Sequence, residues 1–424
     1  MHTSLPPLSK GRIALYLFAG MSIFFITFAA VASWSQPAAG LFRPSSRYQD
    51  ASGSISSLAS LALEKVLGDG SPVFGLPTTT QASTATWMKA YHDDTKIVHM
   101  NIPGTHDAAT WNFSKTTQEY LEPVTDLINI TEVDFSFYRC QNQSMSTMLN
   151  AGIRAFDLRY AYDVTKSTLV FWHGNALQSQ TATVDDVLYS FYDWLDGHPS
   201  EALFLSFQHE GGNDDLGTQL MFYNILTTPA AKKYILQTRG SLGTLGEARG
   251  KITLLRRFDL DLLPASYEEA MPGLHFSPKN WTDNGANITL VYNQTTGETA
   301  YIEDYYSPNT RKNSSAALNI QYKLNATEAA LRRASISNAD SLHWSFASST
   351  NTGNDPPDTP QTQALGNGTL TPKGGVNQQL VPILKTLQGK RLGIVMFDFF
   401  EEPGDLIPLF LSLLSPELAK GYEM

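Results

Sequence analysis

The chain has 424 residues, 42% hydrophobic and 17% charged, a composition that fills a large core and excludes an intrinsically disordered protein. A formal net charge of −10 excludes a protein that wraps nucleic acid or holds anionic lipid by charge alone. Phosphate chemistry in this chain needs positive charge concentrated locally.

In chain order, the first feature is an uncharged run over 13–32, IALYLFAGMSIFFITFAAVA, preceded by Lys10 and Arg12. It is long enough to cross a bilayer, and Ala30-Val31-Ala32 resembles a small-residue cleavage site. Residues 1–34 are therefore a signal peptide or a signal anchor. Both place the chain in the secretory pathway, with an extracellular, cell-surface or lumenal destination. Nine Asn-X-Ser/Thr sequons, at Asn112, Asn129, Asn142, Asn280, Asn287, Asn293, Asn313, Asn325 and Asn367, fit that route and imply N-linked glycans. Cys140 is the single cysteine, so no intrachain disulfide framework exists.

Residues 35–92 are rich in Ser, Thr, Ala, Gly and Pro and read as a stalk or linker, with a short helix around 55–67. Residues 93–424 form the expected folded domain. Short apolar runs recur there at 97–102, 153–158, 169–172, 202–207, 252–255, 299–302, 342–346 and 392–397. Helical stretches are expected at 183–195, 219–226, 326–337 and 376–387. Strands covered on both faces read as nearly continuous apolar runs, and eight of them with crossovers predict an α/β fold, a (β/α)8 TIM barrel. The gap between the second and third runs is too short for a full helix, so the barrel is expected to be irregular.

Polar residues follow most of these runs: His106 and Asp107, Arg159, His173, His209 and Glu210, Arg257, Asp304 and Tyr306, and Asp398. In a barrel those strand ends converge on one mouth, where barrel enzymes keep their active sites. Two histidines with separate carboxylate partners suit general acid and base work near neutral pH. Arg159 suits a phosphate, because a guanidinium grips two oxygens at once and stays charged.

Three stretches, NIPGTHD over 101–107, GIRAFDLR over 152–159 and VFWHG over 170–174, resemble the X domain of bacterial phosphatidylinositol-specific phospholipase C. The resemblance continues through ARGKI over 248–252, Arg256-Arg257, EDYY over 303–306 and IVMFDF over 394–399. It implies a phosphodiesterase acting on phosphatidylinositol or a related diester at a membrane surface, through a cyclic phosphate. By the same resemblance, His106 is the general base oriented by Asp398, His173 the general acid supported by Asp107, and Arg159 the group that meets charge on phosphorus. Asp157, Arg257, Asp304 and Tyr306 match positions lining the family's headgroup pocket.

The resemblance also bears on metal. Calcium-dependent relatives carry Glu-X-Asp on the second strand, where this chain has Ala155-Phe156-Asp157, and Gln208 stands where they resemble Ser-Leu-Glu. Calcium needs several oxygen ligands, usually with more than one carboxylate, so the expected enzyme uses neither metal nor cofactor. Bacterial relatives place a lysine-containing segment where this chain has Ser206-Phe207-Gln208-His209-Glu210; His209 is then a candidate headgroup donor. Two other readings stay open: a metal-dependent hydrolase like glycerophosphodiesterase or sphingomyelinase D, and a non-catalytic secreted barrel glycoprotein.

Overall fold

The computed structural model describes residues 47–422 except 79, 212–213 and 309–313, with side chains from residue 57 onward. The uncharged run over 13–32 and the sequon at Asn313 lie outside the described residues. No helix among the described residues is long and apolar enough to cross a membrane. The chain divides into two units, Met1–Ser60 and Leu61–Met424. The described part of the first is the beginning of a helix, Arg47–Phe74, and the second holds the sheet.

Eleven strands are present among the described residues: β1 (Asn101–Thr105), β2 (Ala155–Tyr162), β3 (Leu169–His173), β4 (Ala176–Leu177), β5 (Leu203–His209), β6 (Ile252–Arg257), β7 (Leu274–His275), β8 (Ile288–Asn293), β9 (Glu298–Glu303), β10 (Leu342–Phe346) and β11 (Gly393–Phe397). Their order is β7-β6-β5-β2-β1-β11-β10-β9-β8. Every neighbouring pair from β7 round to β9 is parallel, which gives the eight strands of a TIM barrel. Antiparallel β8 flanks β9, and no ladder joins β7 to β8 among the described residues, so the barrel is nearly closed.

Three expectations change. The run over 169–172 is β3, which pairs antiparallel with β2 and lies off the barrel path. An apolar run reports burial on both faces and carries no information on strand direction. The eighth parallel strand is β7, whose two residues leave no readable pattern. The first expected strand starts later than predicted, because Ile97–His99 is a 3-10 turn and pairing begins at Asn101.

The expected linker also ends early. Val73, Phe74, Ala85 and Met88 are buried in the folded unit, and the short helix expected around 55–67 is part of the longer helix ending at Phe74. The other expected helices are present at Val184–Gly197, Leu216–Leu226, Ala316–Ile336 and Val376–Lys385. The first opens on a capping box, with Thr183 accepting from the backbone of Asp186 and Asp186 reaching back.

Two apolar layers result. Phe156, Leu158, Leu205 and Val395 point outward and pack with helix residues such as Phe191 and Leu380. Ala155, Phe204, Leu255, Ile302, Trp344 and Met396 fill the interior. Side-chain alternation along each strand separates the two sets, and the polar residues sit above the inner one.

Candidate active site

His106 follows β1 directly, and its N–H continues the ladder to the Phe397 carbonyl at 3.0 Å. Asp398 follows β11, the strand beside it. The pair therefore forms across neighbouring strand ends, with His106 Nδ1 2.8 Å from Asp398 Oδ1. On the other side of the ring, Arg159 Nη2 lies 2.7 Å from Nε2. A guanidinium only donates. Nε2 therefore holds the lone pair, and Nδ1 carries the proton given to Asp398.

His173 arrives by another route. β2 runs past the barrel rim to Tyr162, and β3 returns antiparallel, pairing Tyr162 with Leu169 and Tyr160 with Phe171. The hairpin packs on its own cluster of Phe113, Ala161, Val170 and Trp172 and lowers His173 back to the mouth. Its Nδ1 lies 2.7 Å from the Tyr138 carbonyl, an acceptor, so Nδ1 bears a proton. Asp107 Oδ2 stands 3.1 Å from the same nitrogen. The two imidazole centroids are 6.3 Å apart, edge to face.

Asp107 has a left-handed backbone, φ 46°, uncommon for a residue other than glycine. That conformation turns the chain beneath the site, and the Asp107 N–H meets Asp157 Oδ2 at 3.3 Å. Arg159 is gripped by acids: Asp157 at 3.2 Å, Glu210 at 3.1 Å and Asp107 at 3.5 Å. Arg257 reaches Asp304 at 3.4 Å and lies 4.0 Å over the Trp281 ring. Trp281 Nε1 donates to Asp304 at 2.8 Å, and Tyr306 donates to Asp283 at 2.7 Å.

His106, Arg159, His173, Asp398, Arg257, Asp304 and Tyr306 line one cavity of about 460 Å³. Asp107 and Asp157 lie beneath it, fully buried. His209 does not line the cavity, contrary to its expected role. Arg159 pairs with Gln208 and Tyr160 with His209 in the β2–β5 ladder, so Gln208 shares the inner face and His209 the outer one. There its ring packs edge-on to Tyr160 at 5.6 Å. Glu210, two residues beyond Gln208, is again a lining residue.

Burial sets the titration of the floor. It holds His106 well below the ordinary imidazole value, assisted by Arg159, and lowers His173 as well. It raises Asp107 and Asp398 well above the carboxylate range, with Arg159 opposing. Arg159 is raised, since Glu210, Asp157 and Asp107 outweigh its burial.

Sequence reasoning missed three buried residues here. Gln141 donates to the carbonyls of His106 and Phe397 at 2.7 and 2.9 Å, and Asn377 to that of Asp398 at 2.9 Å. No motif marks them, because each acts on backbone from a distant segment. Cys140 is free and fully buried behind the imidazoles, and its sulfur can join either His106 and Asp398 or Asp107 and His173 in a metal-sized group.

Fold and site together define a TIM barrel with a paired-histidine, arginine-centred mouth. No family model matches the chain. It is 28% identical over 186 residues to a 1-phosphatidylinositol phosphodiesterase of Listeria monocytogenes, covering 42% of this chain and 50% of that protein. It is 31% identical over 149 residues to the human PI-PLC X domain-containing protein 1, covering 32% and 45%. The chain thus spans about half the length of these curated relatives. A Staphylococcus aureus 1-phosphatidylinositol phosphodiesterase matches at 21% over 326 residues, 75% of this chain and 88% of that one. Among solved structures, a mutant phosphatidylinositol-specific phospholipase C from S. aureus superposes with TM-score 0.58 at 18% identity, covering 78% of this chain and 98% of the other. The Listeria monocytogenes enzyme gives 0.54 at 21%, covering 77% and 97%. The chain is thus a TIM barrel similar in sequence to 1-phosphatidylinositol phosphodiesterases and in fold to phosphatidylinositol-specific phospholipase C.

Proposed function

We propose that this barrel cleaves phosphatidylinositol, or a related phosphodiester with a neighbouring hydroxyl, by acid–base catalysis without a metal ion. The observation that carries the reading is the lone pair on His106 Nε2, held 2.7 Å from Arg159 across one cavity from His173. A phosphate entering beside Arg159 offers the guanidinium better acceptors than an imidazole nitrogen, which frees Nε2 for the substrate hydroxyl. His106 takes that proton as oxygen attacks phosphorus. Arg159 meets the charge that builds on the nonbridging oxygens. His173, already carrying a second proton taken from solvent before the substrate binds, gives it to the departing alcohol, and a cyclic phosphate leaves first.

The relatives' names supply the substrate class, and Arg257, Asp304 and Trp281 supply a donor, an acceptor and a flat surface suited to a polyhydroxyl headgroup. Ala155 and Gln208, in place of carboxylates, favour Arg159 as the cation of the reaction. The sequons and the 13–32 run support delivery through the secretory pathway, to work on phospholipid at a membrane surface. Turnover of phosphodiesters with and without a hydroxyl next to the phosphate tests the reading. Cleavage is expected only where that hydroxyl is present; equal rates on both would remove the role given to His106.

A further inference from the structure

The floor beneath the two imidazoles holds a set of atoms that the proposed reaction does not use together. Cys140 Sγ lies 3.9 Å from His173 Nδ1, and Asp107 Oδ2 lies 3.1 Å from the same nitrogen. All three ligand atoms fall within 4.8 Å of one another. Bond lengths to tetrahedral zinc of about 2.3 Å for sulfur and about 2.0 Å for nitrogen and oxygen give ligand separations of roughly 3.6 and 3.3 Å. The sulfur–nitrogen and oxygen–nitrogen separations depart from these values by only tenths of an ångström.

A second observation points the same way. Asp107 is fully buried; its Oδ2 has only ion-pair contacts, to His173 Nδ1 at 3.1 Å and Arg159 Nε at 3.5 Å, and its Oδ1 has no hydrogen-bond partner. The His173 proton is directed at the Tyr138 carbonyl instead. Asp398 Oδ2, also buried, is without a partner on the other side of Cys140. Carboxylate oxygens held out of water without a hydrogen bond, as Asp107 Oδ1 and Asp398 Oδ2 are, are costly, and a cation beside them lowers that cost.

We propose that Asp107, Cys140 and His173 form a binding site for a thiophilic divalent cation, Zn²⁺ by ligand chemistry, whose occupancy shuts the acid side of the catalytic pair. Thiolate with imidazole and carboxylate is a zinc donor set. On binding, the thiol proton goes to solvent and the imidazole proton moves from Nδ1 to Nε2, while Nδ1 and the thiolate each give an electron pair to the ion. His173 can no longer take a second proton, and Asp107 no longer supports it. The effect rests on the proposed function, but the site itself does not.

Cys140 is suited to a test because its short hydrogen bonds are made by its backbone: its N–H reaches Thr110 Oγ1 at 3.0 Å and its carbonyl accepts from Phe399 at 2.9 Å, while the sulfur makes only long contacts, 3.8 Å to the Tyr138 carbonyl and 3.9 Å to His173 Nδ1. It is also the single cysteine, so any thiolate signal reports this site. Chelator-stripped full-length protein is titrated with Cd²⁺ and followed by ultraviolet thiolate-to-metal charge-transfer absorption, then with Zn²⁺ in a turnover assay. The expected result is a band saturating at one ion per chain, absent in Cys140→Ala and Cys140→Ser. Zn²⁺ slows the parent protein and is at least tenfold less effective on both variants, whose metal-free turnover is unchanged. No band, or Zn²⁺ inhibition undiminished in the variants, overturns the proposal. If the parent turns over no phosphodiester, the proposed function fails while the Cd²⁺ band still decides the site.

Discussion

His106 and His173 differ in what their inner nitrogens touch, and the roles proposed for them rest on that difference. His106 gives its Nδ1 proton to Asp398 and keeps Nε2 basic, while His173 fixes its Nδ1 proton on the Tyr138 carbonyl and turns the rest of its ring to the cavity. Replacing either by alanine is expected to cost about 10² to 10⁴ in kcat with folding intact, the range for one general acid or base. A substrate with a good leaving group needs no acid, so it should restore the His173→Ala rate and leave His106→Ala slow. Rescue of both, or of neither, on comparing alkyl and aryl esters contradicts the assignment. The pH profile follows from the same residues. The proposed mechanism needs neutral His106 and charged His173 in the free enzyme, and burial lowers both from the ordinary 6.5. The kcat/KM optimum is therefore expected on the acid side of 6.5, falling as His173 loses its proton with rising pH. An optimum above about pH 8 in a kcat/KM titration contradicts this. At this scale the motifs made most of the site legible, since each polar residue follows an apolar run. His209 shows the limit: one step along β5 exchanges the inner face for the outer, and a motif does not say which residue of a pair turns inward.

The elements were legible where apolarity and direction coincide, as in β5, β6, β10 and β11. They were not where direction decides, because β3 is as apolar as a barrel strand but lies in a hairpin above the rim. The hairpin explains how His173 reaches the mouth from a strand outside the barrel. Another requirement at this scale is close approach between strands. Gly393, at the start of β11, has φ 77°, and a Cβ there meets the His343 carbonyl of neighbouring β10. Gly393→Ala should cost at least about 1 to 3 kcal/mol from backbone strain, before the clash is added. Urea unfolding is expected at a lower midpoint than in the parent; an unchanged midpoint contradicts the packing described between β10 and β11. The glycine itself was visible in the sequence, but its positive φ arises only from the tertiary contact.

For the whole molecule, the folded unit begins at Leu61, well inside the segment that composition alone marks as linker. Small and polar residues hid the anchors Val73, Phe74 and Met88, too few to show a period. Sequons at Asn112, Asn129, Asn280, Asn287, Asn325 and Asn367 are exposed and can carry glycans without disturbing the core. Expression in a eukaryotic host should give a glycosidase-sensitive mass shift, and an unglycosylated cytosolic product in native cells contradicts secretory delivery. The central claim joins every scale: strand ends bring together a base, an acid and an arginine that cleave a phosphodiester without a metal ion. Its most direct test is phosphorus NMR of phosphatidylinositol turned over by the full-length protein in excess chelator. A cyclic phosphate appearing first, at an undiminished rate, is the expected result, whereas turnover abolished by chelator and restored by calcium or magnesium contradicts the claim.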